Sequence, residues 1–250
     1  MSCQASSTDL QVGDLGAINE RLDGQSAEQR VEWALGHLPR AHVLSSSFGI
    51  QAAVMLHLVN SVEPGIPVIF IDTGYHFAET YRFADDLCER LDLNLKVYRA
   101  EISPAWQEAR YGKRWEQGLA GINSYNRDTK VEPMRRAFED LDVGSWFSGI
   151  RRGQSDTRKR VGLVECQWQR YKVHPIADWS ERDIHRYLVR HGLPYHPLRD
   201  QGYVSVGDWH TTRALKDVDD PEQARFFGLT RECGLHSTRA EGVQGHADAG

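Results

Sequence analysis

Cysteine is scarce in this chain, with four among 250 residues: Cys3, Cys88, Cys166 and Cys233. They form no C-x-x-C and no adjacent pair. Structural zinc and iron–sulfur sites draw on closely spaced thiolates, so neither is expected and no metal is assigned. In a reducing compartment each cysteine would be a free thiol. Long apolar runs are also missing. No stretch approaches the ~18 residues of a membrane span, and the N-terminus lacks a basic region followed by an apolar one. A cytoplasmic protein with no membrane partner is expected. Positive charge is not in excess, with 30 Lys and Arg against 35 Asp and Glu and a net charge of -5, so nucleic acid is not an expected partner. The G-x-G-x-x-G and G-x-x-x-x-G-K-[ST] fingerprints are absent, which excludes a standard dinucleotide site and a Walker-type NTPase. No internal repeat or low-complexity tract is present.

What the chain does have is apolar residues, 40% of the total, enough for a full core without disulfides. His42-Val43-Leu44-Ser45-Ser46-Ser47-Phe48-Gly49-Ile50, followed by Gln51 to Val59, reads as a buried strand, a polar turn and an amphipathic helix. Such a turn gathers backbone N–H groups, hydroxyls and a positive helix end, which is an anion site. It is equally compatible with a plain strand–helix joint in which serines cap the helix. Pro67-Val68-Ile69-Phe70-Ile71 is a continuous apolar run, as in a parallel strand covered on both faces. It ends in Asp72-Thr73-Gly74. Helical spacing follows from His76 to Leu91, then a strand at Asn94–Tyr98. Alternation with short joints predicts a doubly wound, mostly parallel α/β sheet, whose ligand site lies beyond the strands' carboxyl ends. Both polar turns would lie there.

Pro104 to Asp140 is predicted helical, and Ser145–Ile150 a further strand. That strand runs into Arg151-Arg152-Gly153-Gln154-Ser155-Asp156-Thr157-Arg158-Lys159-Arg160, five cations in ten residues. Basic loops are usually solvated faces. Arg151 and Arg152, however, directly follow a strand end on the ligand side and are assigned to the site. Ser180-Glu181-Arg182-Asp183 resembles a capping box opening a helix that runs to His191. Asp208-Trp209-His210-Thr211-Thr212-Arg213 is a dense polar cluster, and Pro221–Phe227 a short helix carrying Arg225. Three segments are expected: a flexible one over 1–25, an α/β domain over 26–228, and a mobile C-terminal tail over 229–250.

The tail contains Glu232-Cys233-Gly234-Leu235-His236, with almost no apolar periodicity. Its cysteine is expected to be exposed, with Arg231 and His236 close enough in sequence to favour a thiolate. An incidental surface thiol is the alternative. Cys88 falls on an apolar helix stripe and Cys166 in a strand-like run, so both read as structural. An anion-binding sheet with a mobile thiol suggests attack on an activated phosphate- or sulfur-containing nucleotide.

Several of these segments together resemble the assimilatory 3′-phosphoadenylyl sulfate (PAPS) reductases. They are Ser45–Gln51, Asp72–Gly74, Lys130-Val131-Glu132-Pro133, Gly149–Ser155, His210–Arg213 and Glu232–His236, in order from about Val43 to His236. The serine turn alone would indicate only the wider adenine nucleotide α-hydrolase-like (PP-loop) group. The resemblance implies that Cys233 attacks the sulfur of PAPS. This would release adenosine 3′,5′-bisphosphate and leave an S-sulfocysteine, which reduced thioredoxin or glutaredoxin would resolve to sulfite. No bound cofactor is implied, and a homodimer is. Implied substrate contacts are Ser45, Ser46, Ser47, Gly49, Thr73, Gly74, Lys130, Arg151, Arg152, His210, Arg213, Arg225 and His236. The cations offset the repulsion between thiolate and sulfonate.

Adenylyl sulfate (APS) reductases carry four cysteines that hold an iron–sulfur cluster. Tyr125, Asn126, Asp208 and Thr211 stand at those places here, so the resemblance is to the cluster-free, PAPS-preferring type. Arg158, Lys159 and Arg160 are expected to serve the 3′-phosphate. Two other functions compete. An ATP pyrophosphatase would typically carry an S-G-G-x-D-S loop, and the aspartate is missing from Ser46–Gln51. A non-catalytic nucleotide sensor would give a tail thiol no purpose.

Overall fold

The two apolar runs become inner strands of a six-stranded sheet in the computed structural model, which describes residues 14–229 and residue 235. Strand β1 (His42–Ser45) lies between β2 (Pro67–Ile71) and β4 (Ser145–Phe147); β3 (Asn94–Tyr98) flanks β2. On the other side come β6 (Arg170–Val173) and then β5 (Val164–Gln167). All pairings are parallel except β5 with β6, where Val164 faces Val173. The expected mostly parallel, doubly wound α/β sheet is the observed one. β1 connects outward to β2, whereas the chain returns past β3 to β4 on β1's other flank. The strand order therefore reverses between β1 and β4, where such sheets open a crevice at their carboxyl ends.

Strand alternation explains the two-sided core. Leu44, Val68, Phe70 and Phe147 point to one face. There they meet α2 (Ala27–His37), α3 (Ala52–Val62), α4 (Ala78–Leu91) and α8 (Glu181–Arg190). Val43, Ile69 and Trp146 point to the other, against Met134, Ala137 and Phe138 of α7 (Glu132–Asp140). Helix α8 starts at the predicted capping box, with Ser180 and Asp183 exchanging side-chain and backbone hydrogen bonds.

Four local expectations differ from the structure. Residues 15–23, placed by sequence in a flexible segment over 1–25, form helix α1 (Leu15–Asp23). Asn19 ties it to the backbone of Leu163 and Val164 at 2.5 and 3.0 Å. β4 is shorter than 145–150. Its pairing lasts one further hydrogen bond, Ser148 N–H to the Val173 carbonyl, before the chain turns to line the crevice. The helical region 104–140 is broken into α5 (Pro104–Tyr111), α6 (Gly118–Asn126) and α7, with a π turn over Arg127–Val131 between the last two. Pro133 has no N–H to return to the Thr129 carbonyl, and the wider π turn carries Thr129 and Lys130 inward. The stretch predicted as a short helix over 221–227 is two 3-10 turns, Pro221–Ala224 and Phe226–Gly228.

Candidate active site

A groove of about 760 Å3 opens at the β1/β4 reversal. Its walls come from the turns after β1, β2 and β4, from the π turn, and from the segment 203–208. Of the residues assigned by sequence, Ser45, Ser46, Ser47, Gly49, Thr73, Lys130, Arg151 and Arg225 line it. Ile50, Met55, Ile150 and Val206 contribute apolar surface, the mixed lining expected of a small-molecule site.

The serine turn is not a set of helix caps. Gln51 occupies the N-cap of α3 and gives no side-chain cap, while Ser46 Oγ accepts from the Phe48 N–H at 3.1 Å. Phe48 adopts the left-handed conformation at φ 49°, unusual for a bulky residue. Its ring is fully buried, edge-on to Phe70 at 5.2 Å. That burial offsets backbone strain of about 1–3 kcal/mol and pins the turn so that Ser47 and Gly49 face the groove.

Beneath the turn after β2 lies a network that sequence reading did not assemble. Asp208 is completely buried, and its carboxylate accepts from Thr73 Oγ1 at 2.5 Å and Tyr125 Oη at 3.0 Å. The Lys130 ammonium lies 2.6 Å from it. Burial alone would raise the Asp208 carboxyl. The Lys130 charge, the His76 ring and the donated hydrogen bonds outweigh burial and hold it well below the usual carboxylate range. Burial, with the Asp208 charge, pushes the Tyr125 phenol well above its ordinary value. Lys130 thus reaches the groove with its charge already balanced. Tyr125 and Asp208, two of the four positions at which the resemblance implies cysteine in APS reductases, belong to this oxygen-based network. Thr211 Oγ1 adds a weak bond to the Asp208 carbonyl at 3.4 Å. Among the described residues, no group of three or more His, Cys, Asp or Glu could hold a metal ion.

Arg151 is also balanced. Its Nη2 donates to Gln51 Oε1 at 2.5 Å and to Glu181 Oε1 at 2.7 Å, and Gln51 in turn donates to Glu181. Burial would raise the Glu181 carboxyl, but the Arg151 and Gln51 hydrogen bonds bring it below its ordinary value. Arg225 donates to Ser205 Oγ at 2.9 Å and packs so closely on Gly207 that a Cβ there would collide with its guanidinium. Arg199, unassigned by sequence, also lines the groove, its guanidinium 3.8 Å above the Tyr195 ring.

Other assigned residues stand elsewhere. Gly74 is behind the groove wall, its N–H on Asp72 Oδ1 at 2.9 Å. Arg152 donates to the Val161 carbonyl and faces a neighbouring hollow with Lys159 and Arg160, whereas Arg158 lines the groove itself. Arg213 is exposed and donates to the Thr212 carbonyl at 3.0 Å. His210, expected as a lesser cation, is buried and stacked 3.7 Å from Trp115, with Tyr75 and Tyr125 edge-on. Burial, with the nearby Lys130 and Arg213 charges, lowers its imidazole to about 4, so it is neutral at pH 7. Among the described residues neither ring nitrogen has a hydrogen-bond partner. Cys233 and His236 lie outside the described residues, but Leu235 between them lines the groove. Cys166, read as a free structural thiol, is exposed and disulfide-bonded, its partner outside the described residues; Cys88 is free.

Residues 41–214 match the phosphoadenosine phosphosulfate reductase domain family. The chain belongs to that family. It is 58% identical over 232 residues to a phosphoadenosine 5′-phosphosulfate reductase of Xanthomonas euvesicatoria, covering 93% of this chain and 96% of the relative. It is 59% identical over 223 residues to the Xylella fastidiosa enzyme of the same name, covering 89% and 94%. The crystal structure of a PAPS reductase from Candida auris in a phosphate complex superposes with a TM-score of 0.72 at 26% identity, covering 83% of this chain and all of the other. A Candida glabrata FMN adenylyltransferase superposes at 0.58 with 15% identity, covering 85% and 71%, a likeness of fold alone. The fold is adenine nucleotide α-hydrolase-like, as expected.

Proposed function

We propose that this chain reduces PAPS to sulfite and adenosine 3′,5′-bisphosphate through a covalent intermediate on Cys233. The Cys233 thiolate attacks the sulfonate sulfur, and the bond from that sulfur to the phosphate oxygen breaks. The nucleotide leaves with the electron pair. A thiolate of reduced thioredoxin or glutaredoxin then attacks the Cys233 sulfur, forming a mixed disulfide as the bond to the sulfo group breaks and sulfite leaves. The donor's second thiol opens that disulfide, so that Cys233 is freed and the donor, now oxidised, has supplied the two electrons. The observation that carries this reading is the position of Leu235. Leu235, two residues from Cys233 in sequence, lines the same groove as the serine turn, Lys130, Arg151 and Arg225.

The geometry supports a division of labour. The serine hydroxyls and the backbone of the turn are suited to phosphate oxygens. Arg151 and Arg225, each held by neutral or acidic partners, are preorganised cations for a step that brings two anions together. Arg158, on the groove wall with Arg152, Lys159 and Arg160 around the neighbouring hollow, is our candidate for the 3′-phosphate. We assign the protein to the cytoplasm, where a dithiol donor is at hand that also reduces disulfides such as that of Cys166, and propose that it works as a homodimer.

Intact-mass and peptide mapping of reduced protein mixed with PAPS, without donor, tests the reading. One sulfo group on the Cys233 peptide, discharged by reduced thioredoxin with release of sulfite, is the expected result. Nucleotide binding without adduct or bisphosphate release would overturn it. Cys233→Ser should bind nucleotide and release no sulfite.

A further inference from the structure

Lys130 reaches the groove with donors to spare. An ammonium carries three N–H groups, and among the described residues its one acceptor is Asp208 Oδ2, at 2.6 Å. Its other neighbours are the Tyr125 and Phe226 rings, centred 5.3 and 5.1 Å away. These stabilise a cation through their faces but offer it no oxygen. The residue is only 7% exposed. A buried donor without an acceptor is costly, so an oxygen arriving in the groove supplies what this ammonium lacks.

The carboxylate beside it is shared. Thr73 donates to Asp208 Oδ1 at 2.5 Å, whereas Tyr125 donates at 3.0 Å to Oδ2, the same oxygen that meets Lys130. Oδ2 thus divides its charge between a neutral hydroxyl and the ammonium, which leaves Lys130 less completely neutralised than in a simple pair. Tyr125 touches both partners, with its hydroxyl on the carboxylate and its ring beside the ammonium. It is itself locked, edge-on to Tyr75, Trp115 and His210, and its carbonyl accepts from Thr129 Oγ1 at 2.7 Å. Tyr125 does not line the groove, and the Asp208 side chain is fully buried in its wall.

We propose that Tyr125 and Asp208 are positioning residues that act through Lys130, fixing its ammonium so that its remaining N–H groups meet an anionic group of the nucleotide. This rests on the reading of the groove as the PAPS site. Asp208 sets where the ammonium stands. Tyr125 draws off part of the carboxylate's charge, so that the ammonium is held without being consumed by its partner. A cation fixed in advance needs no reorganisation when the anion arrives, which is where such a contact gains its strength.

A double-mutant cycle tests it. Tyr125→Phe keeps the ring and removes the hydroxyl. With reduced thioredoxin as donor, kcat/KM for release of adenosine 3′,5′-bisphosphate from PAPS should fall about tenfold, the scale of one hydrogen bond to a charged group. In a Lys130→Met background the same change should cost less than about twofold, because the group it acts through is gone. Melting temperature should drop in both backgrounds, since Asp208 loses a donor in either. A kinetic loss confined to one background is what a purely structural tyrosine would not give. Lys130→Gln, which still donates to Asp208 without a charge, replaces Lys130→Met if that variant fails to fold. Losses that multiply across the cycle would overturn the proposal, as would a parent kcat/KM in Tyr125→Phe. If the parent protein releases no bisphosphate from PAPS, the reading of the groove fails first and the proposal falls with it.

Discussion

The Lys130 ammonium and the Asp208 carboxylate stand 2.6 Å apart, both buried, at the junction of the π turn and the 203–208 segment. Neither charge is accounted for without the other. Removing one partner of a buried pair typically costs about 3–5 kcal/mol, because a charge is left without compensation. Asp208→Asn and Lys130→Met should each destabilise the protein by that order in urea melts. The double variant should cost clearly less than their sum. Additive losses would show that the two are not coupled.

The same pair predicts the acid limb of stability. Asp208 titrates lower folded than unfolded. Its contribution is therefore fully present above the unfolded carboxylate value of about 3.9 and is lost as pH falls below it. In Asp208→Asn the steepness of the acid limb should diminish. An unchanged limb would place the linkage elsewhere.

A second slope belongs to histidine. Burial lowers both His210 and His196 to about 4. His196 Nδ1 accepts from the Leu198 N–H at 3.1 Å, and its Nε2 lies 3.0 Å from Thr80 Oγ1. Between about 4 and the unfolded value of about 6.5 the unfolded chain binds more protons, so stability should rise with pH across that window. His210→Phe, which keeps the stack on Trp115, should flatten part of the slope in melts compared at pH 5 and pH 7. No change in slope would contradict a neutral, buried His210.

Glu181 holds Arg151 at 2.7 Å and so spends part of the cation's charge. Glu181→Gln should tighten binding of an anionic nucleotide by a few-fold, whereas Arg151→Met should weaken it by about tenfold or more, a charged hydrogen bond being worth about 1.5–3 kcal/mol. Calorimetry with adenosine 3′,5′-bisphosphate checks both signs. Weaker binding in Glu181→Gln would mean that the carboxylate serves to orient Arg151 rather than to neutralise it.

Gly74 has φ 75°, and a Cβ there would lie 2.5 Å from Pro104 Cγ. Gly74→Ala should therefore destabilise by about 1–3 kcal/mol through strain and overpacking. The turn that orients Thr73 toward Asp208 should also loosen, with a loss of nucleotide affinity greater than the stability change alone would give.

Local pattern and local chemistry made much of this protein legible without coordinates. The apolar run of β2 read as a strand covered on both faces because a continuous run can be satisfied only there. The Ser180 box read as a helix start because its two hydrogen bonds join residues three apart. The serine turn, Thr73 and Arg151 were legible for a similar reason, since polar residues at strand carboxyl ends of a doubly wound sheet must converge, whereas Lys130, in the π turn between two helices, came only from the resemblance. Helix α1 escaped because its anchor, Asn19, bonds to a strand that comes far later in the chain.

Tertiary structure decided which of the collected charges act and which are spent. That Lys130 meets Asp208 and that Arg151 meets Glu181 are pairings across 78 and 30 residues of chain. The resemblance implied His210 as a possible cation, yet its neighbours in space are aromatic rings, and burial among them keeps it neutral. By itself the sequence determined the alternation of strands and helical stretches from β1 to β4, and hence where the site must lie. Which side chains face that site, and with what charge, depended on desolvation and on partners that only packing brings together.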